Sequence, residues 1–262
     1  VVMPPRQSFP SHPRVRDAAA LGFTSSLGPF AANGIMPGFH EMAEDYGVSF
    51  VAVQQSLTIY LFTYAFFSLV AGSFSDSYGR RPTFIGGMLL FAAASVGAAF
   101  SQSLWALYGW RLLQGIGAAV GQVVTQAIVR DNWSGPEAAN VNGMIAFFFA
   151  AGPALAPVVG GQIVMHFGWH AVFLFLMVYS LSIAFFIYFR IPETLNAADR
   201  SAFNLSVICS NYAKGLTHGA FMTGVVAHGI LFMGGILYSA GSADFVIKVM
   251  GLDVDEFGWL SI

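Results

Sequence analysis

The sequence predicts an all-α membrane protein, and three observations carry that prediction. Hydrophobic residues make up 56% of the 262 residues, charged residues only 9%, and mean hydropathy is +0.67. A soluble domain carries about 25% charge, so this chain has too little to cover a water-facing surface. Seven apolar segments each approach the roughly 20 residues needed to cross the hydrocarbon core. The basic residues cluster in every second connection between those segments, as the positive-inside bias requires.

The segments lie near 18–38, 50–72, 83–101, 104–128, 139–163, 168–190 and 218–240, and an eighth begins at Phe257. The tail, 1–17, is rich in Pro and Arg and too polar for a signal-peptide core. The first segment is the weakest, diluted by Thr24, Ser25, Ser26, Pro29 and Asn33, and a weak span of this kind faces protein or water. With the tail in the cytoplasm, that side holds Arg6, Arg14, Arg16, Arg80, Arg81, Arg130, Arg190, Arg200 and Lys214. The opposite side holds Lys248, Arg111 lies within a span, and these are all eleven basic residues. The acidic stretches HEMAEDYG (40–47) and GLDVDEFG (251–258) fall outside.

The expected organisation is a cytoplasmic tail (1–17), a six-helix bundle (18–190), a cytoplasmic loop (191–217) and the start of a second bundle (218–262). Within the loop, PETLNAADR (192–200) is polar enough for a short surface helix. A six-helix unit followed by a longer loop and more helices points to a transporter built from two halves. A chain that opens on Val1 reads as a fragment, or as a non-transporting remnant if the second half is missing. The single Cys209 excludes an internal disulfide and a cysteine metal site. No metal site, catalytic residue or nucleic-acid patch is expected. H-E-x2-H, G-x-S-x-G and paired intramembrane carboxylates are absent, which argues against a membrane-embedded enzyme.

Three stretches ask for more than topology. In GSFSDSYGRRP (72–82), two arginines simply hold a loop in the cytoplasm on the plainest reading. That leaves the spacing of Gly72, Asp76, Gly79, Arg80 and Arg81 unexplained. Gly72 permits close backbone approach, Gly79 a turn with positive φ, and Asp76 a pairing with Arg or a helix N-terminus. In RLLQGIGAAVGQ (111–122), Arg111 lies about 10 Å below the outer end of its helix at 1.5 Å per residue. Arg111, Gln114, Ala118, Gln122 and Gln126 form one stripe, which either lines a cavity or satisfies itself between helices. Gly117 and Gly121 read as a packing face, not a nucleotide loop, because no strand precedes them. In GPALAPVVGGQI (152–163), Gly152, Pro153, Pro157, Gly160 and Gly161 either kink a packing helix or shape a functional one.

These stretches resemble the major facilitator superfamily. Its loop signature between helices two and three is G-x3-D-[RK]-x-G-[RK]-[RK], here with Ser77 in place of the basic residue after Asp76. Its helix-four pattern, R-x2-Q-G-x-G, fits Arg111, Gln114, Gly115 and Gly117. The 152–163 run is similar to the helix-five motif of proton-driven exporters, with Ala156 replacing a Gly. The Bcr/CflA branch is resembled more closely, through PGFHEMAEDYGVS, AIVRD (127–131), ALAPVVGG, PETL (192–195) and YSAGSADFVIKVMGLDVDEFG (238–258). Members of that branch have twelve helices, of which this chain matches the first seven and the start of the eighth.

The resemblance implies a secondary transporter of the bacterial inner membrane, monomeric when full length and powered by the proton gradient without a cofactor. It exports small amphipathic molecules by alternating access. Gly72, Asp76, Gly79, Arg80 and Arg81 would form a cytoplasmic latch, weakened at Ser77. Helices one, four and seven would line the cavity, where they carry Asn33, Arg111 and His228. Asn33 stands where the branch usually has a proton-carrying Asp, and is expected to hydrogen-bond Arg111. His228 is either a packing residue or the carrier of the coupling proton, since an unperturbed imidazole titrates near 6.5. Tyr60, Tyr64, Gln122 and Phe148 are expected to contact substrate. Asn33 also favours an uncoupled or metabolite transporter.

Overall fold

The computed structural model describes residues 15–196, 198, 200–227, 229, 230 and 233. The chain divides into two compact units, 1–203 and 204–262. The first unit holds α1 (Val15–Asn33), α2 (Phe39–Tyr46), α3 (Phe50–Tyr78), α4 (Arg80–Ala99), α5 (Leu104–Asn132), α6 (Gly135–Phe167) and α7 (Trp169–Arg190). Among the described residues five helices, α3 to α7, are long and apolar enough to cross a membrane.

Local chemistry sets the helix ends. Ser49 and Ser103 cap α3 and α5, each accepting a backbone N–H three residues on at 3.3 Å. Gly47, Gly79, Gly135 and Gly168 take positive φ at the joints that follow α2 and α3 or open α6 and α7. The spanning helices overrun their apolar segments: α3 continues past 72 to Tyr78, α4 begins at Arg80 and α5 runs to Asn132. The overrun places Asp76, Arg80, Arg81, Arg130 and Asp131 on terminal helical turns, where charged side chains still reach the polar interface.

The first segment departs from expectation. It is not one span over 18–38: α1 stops at Asn33 and a 3-10 turn (Met36–Gly38) leads into α2. α2 buries Phe39, Met42 and Ala43 and turns its acidic side outward. Of the stretch where a short surface helix is expected, 192–200, residues 192–196 are non-helical and residue 198 is in a 3-10 conformation. The helix of this region is α8 (Leu205–Thr217) in the second unit, capped by Asn204 Oδ1, which accepts from Ser206 N at 3.0 Å and Val207 N at 3.3 Å. Residues 219–227, 229, 230 and 233 are helical, and the other residues from 228 onward, with the eighth segment, lie outside the described residues.

Inside the first unit α1 packs on α6, α3 on α5, and α4 on both α5 and α7. Taken as two triplets, α1–α3–α4 and α5–α6–α7, the first helix of each pairs with the second of the other, and the third helices pair together. That is the pairing of two repeats related by a pseudo-two-fold axis. The core between them is led by Tyr60, Phe84, Phe91, Phe173 and Trp169.

Candidate functional site

The charged end of the bundle is built around Arg80. Gly79 breaks the chain at φ 102° and ψ 154°, a region open only to glycine, and α4 starts on the next residue. This swings the Arg80 guanidinium back between α3 and α5, where it is 6% exposed. Nε donates to Asp131 Oδ2 at 3.0 Å, and Nη1 donates to Ser75 Oγ at 2.6 Å and to Asp76 Oδ1. Thr194 Oγ1 donates to the same Asp131 oxygen at 3.2 Å, and Ser201 N donates to the Asp76 carbonyl at 3.1 Å.

Glu193 completes the clamp from beyond α7. Its two carboxylate oxygens accept the Arg80 N–H at 2.9 Å and the Arg81 N–H at 3.2 Å. A carboxylate across the first N–H groups of a helix satisfies orphan donors and faces the positive end of the macrodipole. Arg81 donates to the Tyr188 carbonyl and lies 4.7 Å over that ring. Asp76, Gly79, Arg80 and Arg81 thus converge, with two differences from expectation. Gly72 makes no close backbone approach, because an added Cβ would meet only Val123 Cγ1 at 3.7 Å. The tight approach is at Gly79, where it would meet Glu193 Oε2 at 2.5 Å. Ser77 donates to the Ser73 carbonyl of its own helix at 2.9 Å and stands outside the charge network.

The second cluster surrounds Arg111, which is fully buried. Nη1 donates to the Ala31 carbonyl of α1 at 3.2 Å and to Gln114 Oε1 at 3.0 Å. Gln114 Nε2 donates to Ser95 Oγ at 2.8 Å. The guanidinium lies 4.5 Å over the Tyr60 ring and 5.9 Å from that of Phe173. Among the described residues, Nε and Nη2 have no hydrogen-bond partner. Cationic stacking on aromatic faces offsets part of the burial cost.

Three expectations are corrected here. Asn33 does not meet Arg111: its Nδ2 donates to the Pro29 carbonyl of its own helix at 2.8 Å, and the backbone of Ala31 takes the guanidinium instead. Tyr60 is not a cavity surface, being 1% exposed with its hydroxyl on the Gly28 carbonyl at 2.9 Å. The stripe of α5 does not line one open cavity. Arg111, Gln114 and Ala118 face the bundle interior, Gln122 is half-buried and Gln126 exposed. Tyr64 stacks on Tyr60, and Phe148 rests on Phe23 with ring centres 4.8 Å apart, both half-buried. His228 lies outside the described residues.

The glycines of α5 and α6 form close-packed seams. A Cβ on Gly115 would meet the Tyr60 carbonyl at 2.6 Å, and one on Gly117 the Gly87 carbonyl at 2.6 Å. In α6, Gly160 lies directly against the Gly34 backbone, Gly152 against Pro29 and Gly161 near Pro37. Pro153 and Pro157 sit on the exposed side of the same helix. The 152–163 motif is therefore the surface on which α1 rests.

Sequence reasoning gave no role to Asp131 or Glu193, although both lie in AIVRD and PETL, stretches that stood out as a pattern. It also missed the opposite end, where Trp169 Nε1 donates to Asp45 Oδ2 at 2.6 Å and the Tyr46 and Ser101 hydroxyls lie 2.6 Å apart. Burial raises the Tyr46 phenol above its ordinary pKa, against the hydrogen bond it shares with the Ser101 hydroxyl.

A profile of the Major Facilitator Superfamily matches residues 21–262. The chain is 31% identical over 239 residues to a bicyclomycin resistance protein homolog of Haemophilus influenzae, covering 91% of this chain and 60% of that protein. It is 32% identical over 169 residues to multidrug resistance protein D of Escherichia coli, covering 64% of this chain and 43% of that one. Both relatives are considerably longer than the part matched. Among solved structures, the human organic anion transporter MFSD10 (TETRAN) is similar at a TM-score of 0.57 and 24% identity, over 76% of this chain and 53% of that one, which shows the fold. Together with five membrane-length helices and the converging loop motif, these similarities establish that this integral membrane chain belongs to the Major Facilitator Superfamily and is Bcr/CflA-like within it.

Proposed function

We propose that the chain forms the first part of a proton-coupled secondary transporter that exports small amphipathic molecules by alternating access. Its N-terminus would lie in the cytoplasm of a bacterial inner membrane. The observation that carries the reading is the clamp, in which Arg80 holds the ends of α3 and α5 while Glu193, beyond α7, caps α4. A joint made of charge-assisted hydrogen bonds between helix ends can open and reform as a unit, which a switching bundle requires. Tyr64, Gln122 and Phe148 are the candidate substrate contacts. The resistance proteins among its relatives support amphipathic cargo.

The test is efflux from cells expressing the full chain, across a drug panel, with and without a proton gradient. Gradient-dependent loss of one or more compounds is expected, and retention of all of them refutes the reading. A second reading, transport without proton coupling, is favoured by Asn33, an amide that cannot titrate and is turned onto its own helix. Proton release on substrate addition separates the two. If release is abolished in His228→Ala and His228→Gln, His228 carries the proton. If both leave it unchanged, His228 has no part in coupling.

A further inference from the structure

Arg111 is the only Asp, Glu, Lys or Arg that α3 to α7 hold away from their terminal turns. In and around α2 to α7 the described carboxylates lie at the two ends, Asp76, Asp131, Glu137 and Glu193 at one and Glu41, Glu44 and Asp45 at the other. None is in an ion pair with Arg111. A buried cation is ordinarily matched by an anion, since desolvation costs more than hydrogen bonds to neutral groups return. The protein satisfies one side of this guanidinium through Nη1. The orphaned atoms, Nε and Nη2, are buried and carry parallel N–H bonds on one edge. That edge is the side-on fork that accepts both oxygens of a carboxylate. The guanidinium carbon lies over the Tyr60 and Phe173 rings, which restrict the orientation of the fork.

We infer that the Nε–Nη2 edge of Arg111 is a subsite for the carboxylate of an amphipathic organic anion, and that this transporter prefers such anions to amides or amines of the same shape. The inference rests on the transporter reading above and names its substrate class. The edge is closed over in this conformation. Ala31, which holds Nη1, belongs to the last turn of α1, beside Gly34, where the helix ends. Displacement of that turn is the movement that would admit a ligand.

The test uses the full chain in lipid nanodiscs and three probes with one naphthyl body, ending in a carboxylate, a carboxamide or an ammonium. Binding is followed by tryptophan fluorescence, and uptake is measured separately in proteoliposomes. The carboxylate is expected to bind at least about tenfold tighter than the carboxamide, as charge-assisted hydrogen bonds imply. Arg111→Lys keeps a charge but not the fork and is expected to lose most of that preference, and Arg111→Gln all of it. Where neither variant folds, the ranking of the three probes on the unaltered chain decides. Equal binding of the three overturns the inference and leaves transport intact. Acetate competing as well as the naphthyl carboxylate also overturns it, since the edge then takes a free anion and not cargo. Preferred carboxylate binding without uptake of any probe supports the subsite and counts against the transporter reading.

Discussion

Glu193 caps the helix that begins at Arg80: its Oε1 accepts the Arg80 N–H at 2.9 Å across 113 residues of chain. The contact depends on Gly79, whose missing Cβ leaves room for the carboxylate. Gly79→Ala is therefore expected to cost about 1–3 kcal/mol, from backbone strain at φ 102° and from displacement of Glu193. Thermal unfolding in nanodiscs measures it. An unchanged midpoint would show that the glycine has no such role.

The two carboxylates on Arg80 are not equivalent. Asp131 is 23% exposed and bridges two helices, whereas Asp76 is 45% exposed and one turn from Arg80 in sequence. Asp131→Asn is expected to destabilise by about 1–3 kcal/mol, having left a buried guanidinium short of charge. Asp76→Asn should cost less than about 1 kcal/mol, because water screens it. The ranking in chemical denaturation is the check, and the reverse order would move the centre of the clamp to α3.

Gly160 and Gly86 should respond in opposite directions to the same change. Gly160→Ala drives a methyl into the Gly34 backbone and is expected to cost about 1–3 kcal/mol by separating α1 from α6. Gly86 is exposed with nothing within 4 Å of an added Cβ, so Gly86→Ala should stabilise α4 by up to about 1 kcal/mol. Paired melting curves decide it.

Tyr60 has a hydroxyl role and a ring role that can be separated. Tyr60→Phe removes the hydrogen bond to the Gly28 carbonyl and should cost about 1 kcal/mol while keeping the ring over Arg111. Tyr60→Ala removes the ring as well and should cost about 3–5 kcal/mol. Equal losses would mean that the hydroxyl alone matters.

How much was legible follows from how local each cause is. Five spanning helices could be read from apolar length, and their caps at Ser49 and Ser103 from residue type. The turn at Gly79 could be read from a glycine among charges. The break in α1 was hidden, because Gly34, Ile35 and Met36 are as apolar as a continuing helix, and the turn is decided by Gly160 pressing on Gly34. Asp131 and Glu193 were visible as letters but not as partners of Arg80, since 51 and 113 residues intervene.

By itself the sequence determined the class, the apolar spans and the glycine turn beside Arg80, because hydropathy, charge placement and glycine φ act over one or two turns. Tertiary structure alone decided what Arg111 touches. Its partner is a carbonyl, which every residue type carries and no sequence motif can announce. Asn33 bonds to the Pro29 carbonyl of its own helix, and the Ala31 carbonyl, in the last turn of α1, is the group that faces the guanidinium.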